Sequence, residues 1–187
     1  MKYVELGKTG LNCAVVSFGG IPIQRSDAAN TVAVVDALEK HGMNYIDTAR
    51  GYTVSEEYLG AALKGRREKF ILATKSMVRD YEGMKKEVET SLKNLRTDHI
   101  EVYQLHNLPL GDFEKVFGPD GAYKALEEAK AAGKVGHIGA TFHSLDALKK
   151  AVEEYADKIE TVMFPFNIVE SQGTEILKLA REKGMGT

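Results

Sequence analysis

One stretch of this chain decides its fold: Asn44-Tyr45-Ile46-Asp47-Thr48-Ala49-Arg50-Gly51-Tyr52. It is a short apolar run, with the composition of a buried strand, that ends in the ionisable side chains of Asp47 and Tyr52. Two later apolar runs end in the same way, one at Lys75 and one at His106. Because the carboxyl ends of parallel strands share one rim of a barrel, these four groups are predicted to meet there. A carboxylate, a phenol, an ammonium and an imidazole form a proton-transfer set, so the pattern predicts an enzyme.

Apolar runs of strand length alternate with amphipathic helical patterns along the chain, with a period of roughly thirty residues that is typical of βα units. The predicted strands are 15–18, 45–46, 70–74, 100–105, 135–139 and 161–164. The predicted helices are 31–41, 55–63, one over 84–95, 122–132, one capped by Ser144 and one over 176–180. Thr53 and Glu56 have capping-box spacing at the start of the second helix. The alternation predicts parallel strands with helices outside them.

Two architectures fit this alternation, an open doubly wound sheet and a closed barrel of eight βα units. The stretch Phe18-Gly19-Gly20-Ile21-Pro22 follows the first strand, and it lacks the Gly-x-Gly-x-x-Gly pattern of the doubly wound dinucleotide-binding fold. Ionisable groups at three consecutive strand ends favour the barrel, of the TIM (β/α)8 type, with residues 2–13 forming a β-hairpin before it. Only about six units are present against the eight of a complete barrel. The sequence therefore predicts one barrel domain over 1–187 whose C-terminal units are missing.

Composition limits the classes of function. The 187 residues carry 25 basic and 27 acidic side chains spread along the chain, so no basic stripe indicates a nucleic-acid surface. No apolar run approaches the roughly 20 residues that cross a bilayer, and the first residues do not resemble a signal peptide. The single cysteine, Cys13, excludes an internal disulfide and fits a reducing compartment. We expect a cytoplasmic protein without a metal site.

Several motifs occur together in a fixed order. They are Leu6-Gly7-Lys8-Thr9-Gly10-Leu11, Phe18-Gly19-Gly20, residues 44–49, Gly51-Tyr52, residues 55–60, Ala73-Thr74-Lys75, residues 103–107 and residues 133–139. In this order and spacing the chain resembles the aldo-keto reductases, NAD(P)H-dependent barrel enzymes that reduce aldehydes and ketones to alcohols. Residues 139–143 and 163–167 are most similar to a bacterial branch whose members often add a C-terminal iron–sulfur segment. The chain has no cysteine cluster that could hold such a cluster, which would require a further segment.

The resemblance implies a role for each rim residue. Tyr52 would be the general acid that protonates the carbonyl oxygen as hydride arrives from the nicotinamide. Lys75, held by a salt bridge to Asp47, would lower the pKa of the phenol from its ordinary value of about 10. His106 would orient the carbonyl and share its developing charge. Carbonyl reduction should then fall as pH rises, because Tyr52 must be protonated to act.

The resemblance also implies a cofactor, NADPH or possibly NADH. The residues expected to bind it are Gly20, Ile21, Asp47, Thr141 and Asn167. Many relatives hold the nicotinamide carboxamide with a Ser-Asn pair and a Gln. In this chain Phe142 and Met163 stand at two of those positions, and neither side chain can hydrogen-bond an amide. The family's phosphate-binding elements follow the seventh and eighth strands of its barrel, which would begin just after residue 187.

Simpler structural explanations exist for each residue taken alone: a loop cap for Asp47, turn packing for Tyr52, a solvated charge for Lys75 and a core imidazole for His106. Their coincidence at four matched positions favours the catalytic interpretation. The roles of four other residues are expected as follows: Arg50 reaches substrate or forms a salt bridge at the rim, His137 packs in the core or in the barrel interior, His143 is a weak substrate-side candidate, and Cys13 is buried and inert.

Two hypotheses of function follow. The first is a reductase of small-molecule carbonyl compounds, and the rival is a non-catalytic NADPH-binding module with a regulatory role on the same fold. A pure binder has no need of a polarised phenol, so the four rim residues favour the enzyme. Residues 1–187 alone are expected to be inactive and to bind the cofactor poorly, since open strand edges and absent phosphate loops accompany an incomplete barrel. Such edges also invite self-association.

Overall fold

The computed structural model describes residues 1–187. The strands are β1 (Tyr3–Glu5), β2 (Asn12–Ala14), β3 (Phe18–Gly19), β4 (Tyr45–Asp47), β5 (Ile71–Ser76), β6 (Ile100–Leu105), β7 (Val135–Thr141) and β8 (Thr161–Met163). The helices are α1 (Ala28–His41), α2 (Ser55–Ala62), α3 (Tyr81–Leu95), α4 (Phe113–Phe117), α5 (Ala122–Ala131), α6 (Leu145–Glu154) and α7 (Thr174–Glu182). Three short 3-10 helices cover Ile21–Arg25, Arg67–Lys69 and Leu110–Asp112. None of the helices combines the length and apolar composition needed to cross a bilayer.

Six strands form one parallel sheet in the order β3-β4-β5-β6-β7-β8, so each strand lies beside its neighbour in sequence. The sheet curls into a half-barrel with helices on its outer face, which confirms the predicted barrel-type α/β fold of about six βα units. β1 and β2 pair antiparallel as the predicted hairpin. Beyond β8, Gly186 forms a parallel bridge to Thr161, and its carbonyl accepts a hydrogen bond from the Val162 amide at 2.8 Å.

Local chemistry explains where most helices begin and end. The side chains of Asp27, Asp80 and Ser144 accept backbone hydrogen bonds at the starts of α1, α3 and α6, which is the usual N-cap interaction. Gly42 follows α1 with a φ of 70°, a left-handed conformation that glycine adopts without steric cost. The predicted capping box of α2 is wrong. Val54 is the N-cap residue and no side chain caps the helix, because Glu56 is turned into the protein interior.

Two other local predictions differ from the structure. The first barrel strand was expected over 15–18, but β3 covers only Phe18–Gly19 and the side chains of Val15 and Val16 are half exposed. The Val15 amide instead donates to the carbonyl of Lys2, which extends the hairpin pairing. The second difference is α4, a one-turn helix that precedes α5 and packs Phe113 into the core. Its five residues are too few to show a helical period.

Helices α2 and α3 approach each other closely at Gly60. A Cβ atom at that position would lie 2.2 Å from the carbonyl oxygen of Asn94, so only glycine fits. This approach brings the first turn of α2 within hydrogen-bonding distance of α3, and Glu56 reaches Ser91 and Asn94. The two helices therefore pack as one unit behind β4 and β5.

The concave face of the half-barrel encloses an open groove of about 720 Å³. It lies between the hairpin, β3 and the β8 edge, and most of its lining is apolar. Asp47 and Gln104 line it from the middle strands, while Val4, Phe164 and Phe166 contribute to its sides. β3 and β8 are the two edge strands of this sheet. The groove leads from the floor of the half-barrel to the rim that carries the ionisable residues.

Candidate active site

The centre of the rim is a buried ion pair between β4 and β5. Lys75 Nζ donates to a carboxylate oxygen of Asp47 and, at 2.9 Å, to the backbone carbonyl of Thr48. The side chain of Lys75 is 3% exposed and that of Asp47 is 15% exposed. Burial raises the pKa of Asp47, which the Lys75 charge opposes, and burial lowers the pKa of Lys75, which the Asp47 charge opposes. The predicted pairing of these two residues is confirmed.

Gln104 completes this ion pair and is a site residue that the sequence interpretation missed. Its Nε2 donates to the second Asp47 oxygen at 3.1 Å, and its side chain is fully enclosed. Lys75 and Gln104 are register partners across β5 and β6. A signal was present in the sequence, because Gln104 is a polar residue in an apolar strand two positions before His106, and strand alternation turns both toward one face.

Tyr52 stands beside this ion pair in the loop between β4 and α2. Lys75 Nζ lies 5.0 Å from the centroid of the Tyr52 ring, and no group of the protein hydrogen-bonds the phenol oxygen. The expectation that the phenol pKa lies below its ordinary value is wrong for this structure, because burial and the Asp47 carboxylate outweigh any stabilisation of the phenolate by Lys75. Burial, followed by the Asp47 carboxylate, raises the pKa of Tyr52 above its ordinary 10.0. Lys75 has its charge engaged by Asp47, so Tyr52 is held in the protonated form.

His106 faces Tyr52 from the end of β6. The two rings meet edge to face with their centroids 6.0 Å apart and their planes at 89°. Burial lowers the pKa of His106 to about 4, and the charges of Lys75 and Arg79 act in the same direction. His106 is therefore neutral at physiological pH. Its Nδ1 is buried without a hydrogen-bond partner, and Arg79 fixes the backbone by donating to the His106 carbonyl at 2.7 Å.

The depressed pKa of His106 gives a prediction for stability. Its folded-state pKa of about 4 lies below the ordinary value of 6.5, so its contribution is present above pH 6.5 and is lost as pH falls toward 4. The parent therefore loses unfolding free energy as pH falls from 6.5 toward 4 and His106 becomes protonated. We expect this loss to be about 1–2 kcal/mol smaller in His106→Gln, which is less than the full effect because solvent screens the partly exposed ring. Urea denaturation above pH 6.5 and near pH 4 measures the unfolding free energy of both proteins. The exposed His41 provides the matched control as His41→Gln, and equal acid loss in the parent and His106→Gln would contradict the prediction.

The residues expected on the cofactor side begin with Gly20 and Ile21, at the end of β3. The Gly20 amide donates to the Asp47 carbonyl at 2.6 Å, and its carbonyl accepts from Ser55 Oγ at 3.0 Å. A Cβ at Gly20 would lie 2.9 Å from the Asp47 carbonyl oxygen. Close packing against the end of β4 therefore requires glycine here whether or not a cofactor is present. Ile21 is half exposed at the rim.

Thr141 and Asn167 lie farther along the same rim and already hold internal hydrogen bonds. Thr141 Oγ1 accepts from the Asn107 amide at 2.7 Å, which leaves its hydroxyl hydrogen free to donate. Asn167 caps its own turn by accepting from the Val169 amide at 2.9 Å, and it donates to Glu170. Phe142 is buried and Met163 is partly exposed; these are the two positions at which the side chain cannot hydrogen-bond an amide.

The structure also shows the surroundings of the four other residues. Arg50 forms a salt bridge, with its Nη1 2.8 Å from Glu56, rather than projecting freely at the rim. The side chain of His137 is 20% exposed, and its Nδ1 lies 2.7 Å from the Glu160 carboxylate. Cys13 is buried, and burial raises the pKa of its thiol to about 11. His143 is exposed at the rim, where its charge opposes protonation of His106. No cluster of three His, Cys, Asp or Glu side chains is arranged to hold a metal ion.

Comparison with known proteins places this geometry in a family. The model of the Aldo/keto reductase family matches residues 15–187. Aldo-keto reductase YhdN of Bacillus subtilis is 29% identical over 100% of this chain and 60% of its own length. The NADH-specific methylglyoxal reductase of Escherichia coli is 29% identical over 99% of this chain and 65% of its own length. The chain thus spans less than two thirds of either relative.

Solved structures give the same result for the fold. The holo form of aldo-keto reductase AKR11C1 from Bacillus halodurans superposes with a TM-score of 0.83 at 30% identity, over 99% of this chain and 64% of that chain. The Pseudomonas aeruginosa protein PA4992 superposes with a TM-score of 0.87 at 25% identity, over 98% of this chain and 75% of that chain. The half-barrel, its hairpin and its rim therefore correspond to a large part of both structures.

Proposed function

This chain belongs to the aldo/keto reductase family, and from that premise we propose that its protein reduces the carbonyl group of small aldehydes and ketones to an alcohol with NAD(P)H, using Tyr52 as the general acid. One observation carries the proposal. Tyr52 and His106 face each other without internal hydrogen bonds on their polar ring atoms, directly beside the buried Asp47–Lys75 pair. A carbonyl oxygen within reach of the Tyr52 O–H and of the His106 ring N–H would find one proton donor and one polarising group.

Each residue has a defined part in the proton transfer. Tyr52 donates its phenol proton to the oxygen as charge develops there, and the raised pKa keeps that proton in place until then. The Lys75 ammonium, fixed by Asp47 and the Thr48 carbonyl, stabilises the phenolate that remains. Neutral His106 orients the carbonyl through its ring N–H. Gln104 supports the set by holding the second Asp47 oxygen.

The residues present fit a nicotinamide cofactor at the reacting end of the site. When bound, the nicotinamide would supply hydride to the carbonyl carbon; the π electrons of the C=O bond then move to the oxygen, which the donor set protonates. Thr141 retains a hydroxyl hydrogen that can donate to the carboxamide oxygen, while Asp47, Gly20 and Ile21 would line the approach to the ring. We propose Asn167 as the remaining contact, by rearrangement of its own turn. Either NADPH or NADH is compatible with these residues.

The direction of the Tyr52 pKa shift determines the expected pH dependence. An acid must be protonated to act, so a raised pKa extends the active range upward. We expect that ionisation of the Tyr52 phenol does not reduce the rate of carbonyl reduction at neutral pH. The rate should fall from this cause only above pH 10. Asp47→Asn removes one cause of the raised pKa and should move the Tyr52 titration to lower pH. A carbon-13 label at tyrosine Cζ reports that titration directly, and an unchanged or higher Tyr52 pKa in the variant would contradict the argument.

The proposed function is tested with the full gene product. Oxidation of NADPH and of NADH is followed with a panel of aldehydes, ketones and quinones that includes methylglyoxal, the substrate in the name of one relative. Turnover of any carbonyl compound that depends on Tyr52 supports the proposal. Cofactor binding without turnover of any compound would overturn it and favour the regulatory alternative. Cofactor binding by residues 1–187 is titrated by nicotinamide fluorescence in parallel.

A further inference from the structure

A second polar cluster lies behind the candidate active site and takes no part in the chemistry described above. Its centre is Glu56 on α2, which is 1% exposed and accepts four hydrogen bonds. One carboxylate oxygen accepts from Thr74 at 2.8 Å and from Ser91 at 2.7 Å. The other accepts from Arg50 Nη1 at 2.8 Å and from Asn94 at 3.2 Å. A buried carboxylate with all its acceptor sites engaged is a rigid junction, because every displacement breaks a charge-assisted hydrogen bond.

Two of the four partners of Glu56 belong to the elements that carry the catalytic groups. Arg50 is part of the loop between Asp47 and Tyr52, and its amide donates to the Lys75 carbonyl at 2.9 Å. Thr74 directly precedes Lys75 on β5, and strand alternation turns the two side chains to opposite faces. Ser91 and Asn94 belong to α3. The Glu56 carboxylate therefore connects β5, α2, α3 and the loop that contains Arg50 and Tyr52, which we call the Tyr52 loop.

A second carboxylate repeats the arrangement on the other side of Lys75. Ser76, the residue after Lys75, donates to Glu87 at 2.9 Å, and the same Glu87 oxygen lies 3.3 Å from Arg50 Nε. Both neighbours of Lys75 are thus tied to carboxylates that contact Arg50. The Arg50 guanidinium lies between the Glu56 and Glu87 carboxylates, on the face of β5 opposite the Lys75 side chain. Its Nε is buried without a well-aligned hydrogen bond, so the position of Arg50 depends on the firm contact to Glu56.

We propose that Glu56 is a positioning residue for carbonyl reduction, which fixes the Tyr52 loop through Arg50 and the Lys75 strand through Thr74. The inference rests on the proposed function for its kinetic consequence, but its geometric content stands on the contacts alone. Lys75 and Tyr52 do not hydrogen-bond each other, and Nζ lies 5.0 Å from the ring centroid. Their relative position therefore comes from the surrounding structure, and Glu56 connects the two elements concerned.

The physical reason for an effect on rate is the sensitivity of proton transfer to distance. A displacement of about 1 Å in a catalytic group can cost about 100-fold in rate. Glu56→Gln keeps the size of the side chain but removes the charge and replaces one acceptor oxygen by a donor. Arg50 then loses the partner that anchors it, and the loop that carries Tyr52 is released. Binding of the carbonyl substrate, which Glu56 does not contact, should change little.

The chain offers a matched control in Glu101 on β6. Glu101 pairs with Arg67, whose Nη2 lies 2.8 Å from its carboxylate, and both side chains are largely buried. This pair lies near the start of the strand, at the end of the sheet away from the rim. Glu101→Gln should therefore lower stability much as Glu56→Gln does, without touching the Tyr52 loop. Any general effect of losing a buried carboxylate–guanidinium pair appears in both variants.

We expect Glu56→Gln to lower kcat by about 10–100-fold with KM for the carbonyl compound within about threefold, and Glu101→Gln to leave kcat within about twofold. Arg50→Met should reproduce the loss, and the double variant with Glu56→Gln should be no slower than either single one, because both act through one contact. Should Glu56→Gln fail to fold, Arg50→Met provides the same comparison. Equal kcat losses in Glu56→Gln and Glu101→Gln, or additive losses in the double variant, would overturn the proposal.

A second measurement separates this inference from the proposed function. The carbon-13 resonance of Tyr52 Cζ, assigned with Tyr52→Phe, reports the environment of the ring without any turnover. It should shift or broaden in Glu56→Gln and in Arg50→Met, and remain at the parent position in Glu101→Gln. If no carbonyl compound is reduced but the resonance moves as expected, the proposed function fails and the positioning role stands. An unchanged resonance in Glu56→Gln refutes the positioning role even if the parent is an active reductase.

Discussion

Tyr52→Phe is expected to lower kcat for carbonyl reduction by about 10²–10⁴-fold, which is the usual range for loss of a positioned general acid. The phenyl ring keeps the edge-to-face contact with His106 and the position beside Lys75 Nζ, so only the O–H group is lost. Cofactor affinity should stay within about threefold, because the proton transferred is not part of the cofactor site. Steady-state oxidation of NAD(P)H and fluorescence titration of the cofactor measure the two quantities.

The matched control is Tyr45→Phe. Tyr45 belongs to β4, two residues before Asp47, and lines the groove of the half-barrel rather than the rim. Its replacement also removes one phenol oxygen, but from the groove lining and not from the ring that faces His106. Turnover by Tyr45→Phe should stay close to that of the parent. A Tyr52→Phe protein that retains more than about a tenth of the parent turnover would exclude Tyr52 as the proton donor.

The four rim residues could be predicted from sequence because Asp47, Lys75 and His106 stand at the ends of short apolar runs and Tyr52 follows Asp47 in the loop after the first of them. In a parallel sheet that position alone brings the residues to one edge, and the structure places Asp47, Lys75, Tyr52 and His106 within one constellation. The resemblance to a known family then supplied their proposed roles. What the sequence could not supply was the electrostatic balance. The resemblance predicts a lowered pKa for Tyr52, yet burial and then the Asp47 carboxylate raise it.

The sequence patterns missed the residues whose side chains form hydrogen bonds to other helices and strands. Glu56 looked like half of a capping box, because its spacing from Thr53 is correct. Thr53 instead adopts a φ of 45°, and Glu56 turns inward to Arg50, to Thr74 of β5 and to two residues of α3. Gln104 likewise has a partner, Asp47, that is 57 residues distant in sequence. Local periodicity reports burial and element type, but partners this far apart along the chain are determined only by the assembled sheet.

Lys75→Met is the second prediction with a large expected effect. The ammonium is the positive charge beside Tyr52, so its loss should lower kcat by about 10²–10³-fold while cofactor affinity changes less. It also leaves Asp47 buried without its ionic partner, and breaking a buried pair from one side costs about 3–5 kcal/mol of stability. Turnover, cofactor affinity and the free energy of unfolding are measured on the same preparation. Reduced turnover alone would not distinguish a catalytic role from general instability.

The double variant Asp47→Asn with Lys75→Met makes that distinction. Asparagine can still accept from Gln104 Nε2, and no lone charge remains inside the protein, so much of the lost stability should return. Turnover should not return, because the charge that stabilises the Tyr52 phenolate is still absent. A double variant that recovers both stability and rate would show that Lys75 serves only to neutralise Asp47. A single variant that keeps most of the parent turnover would place the Lys75 charge outside the chemistry altogether.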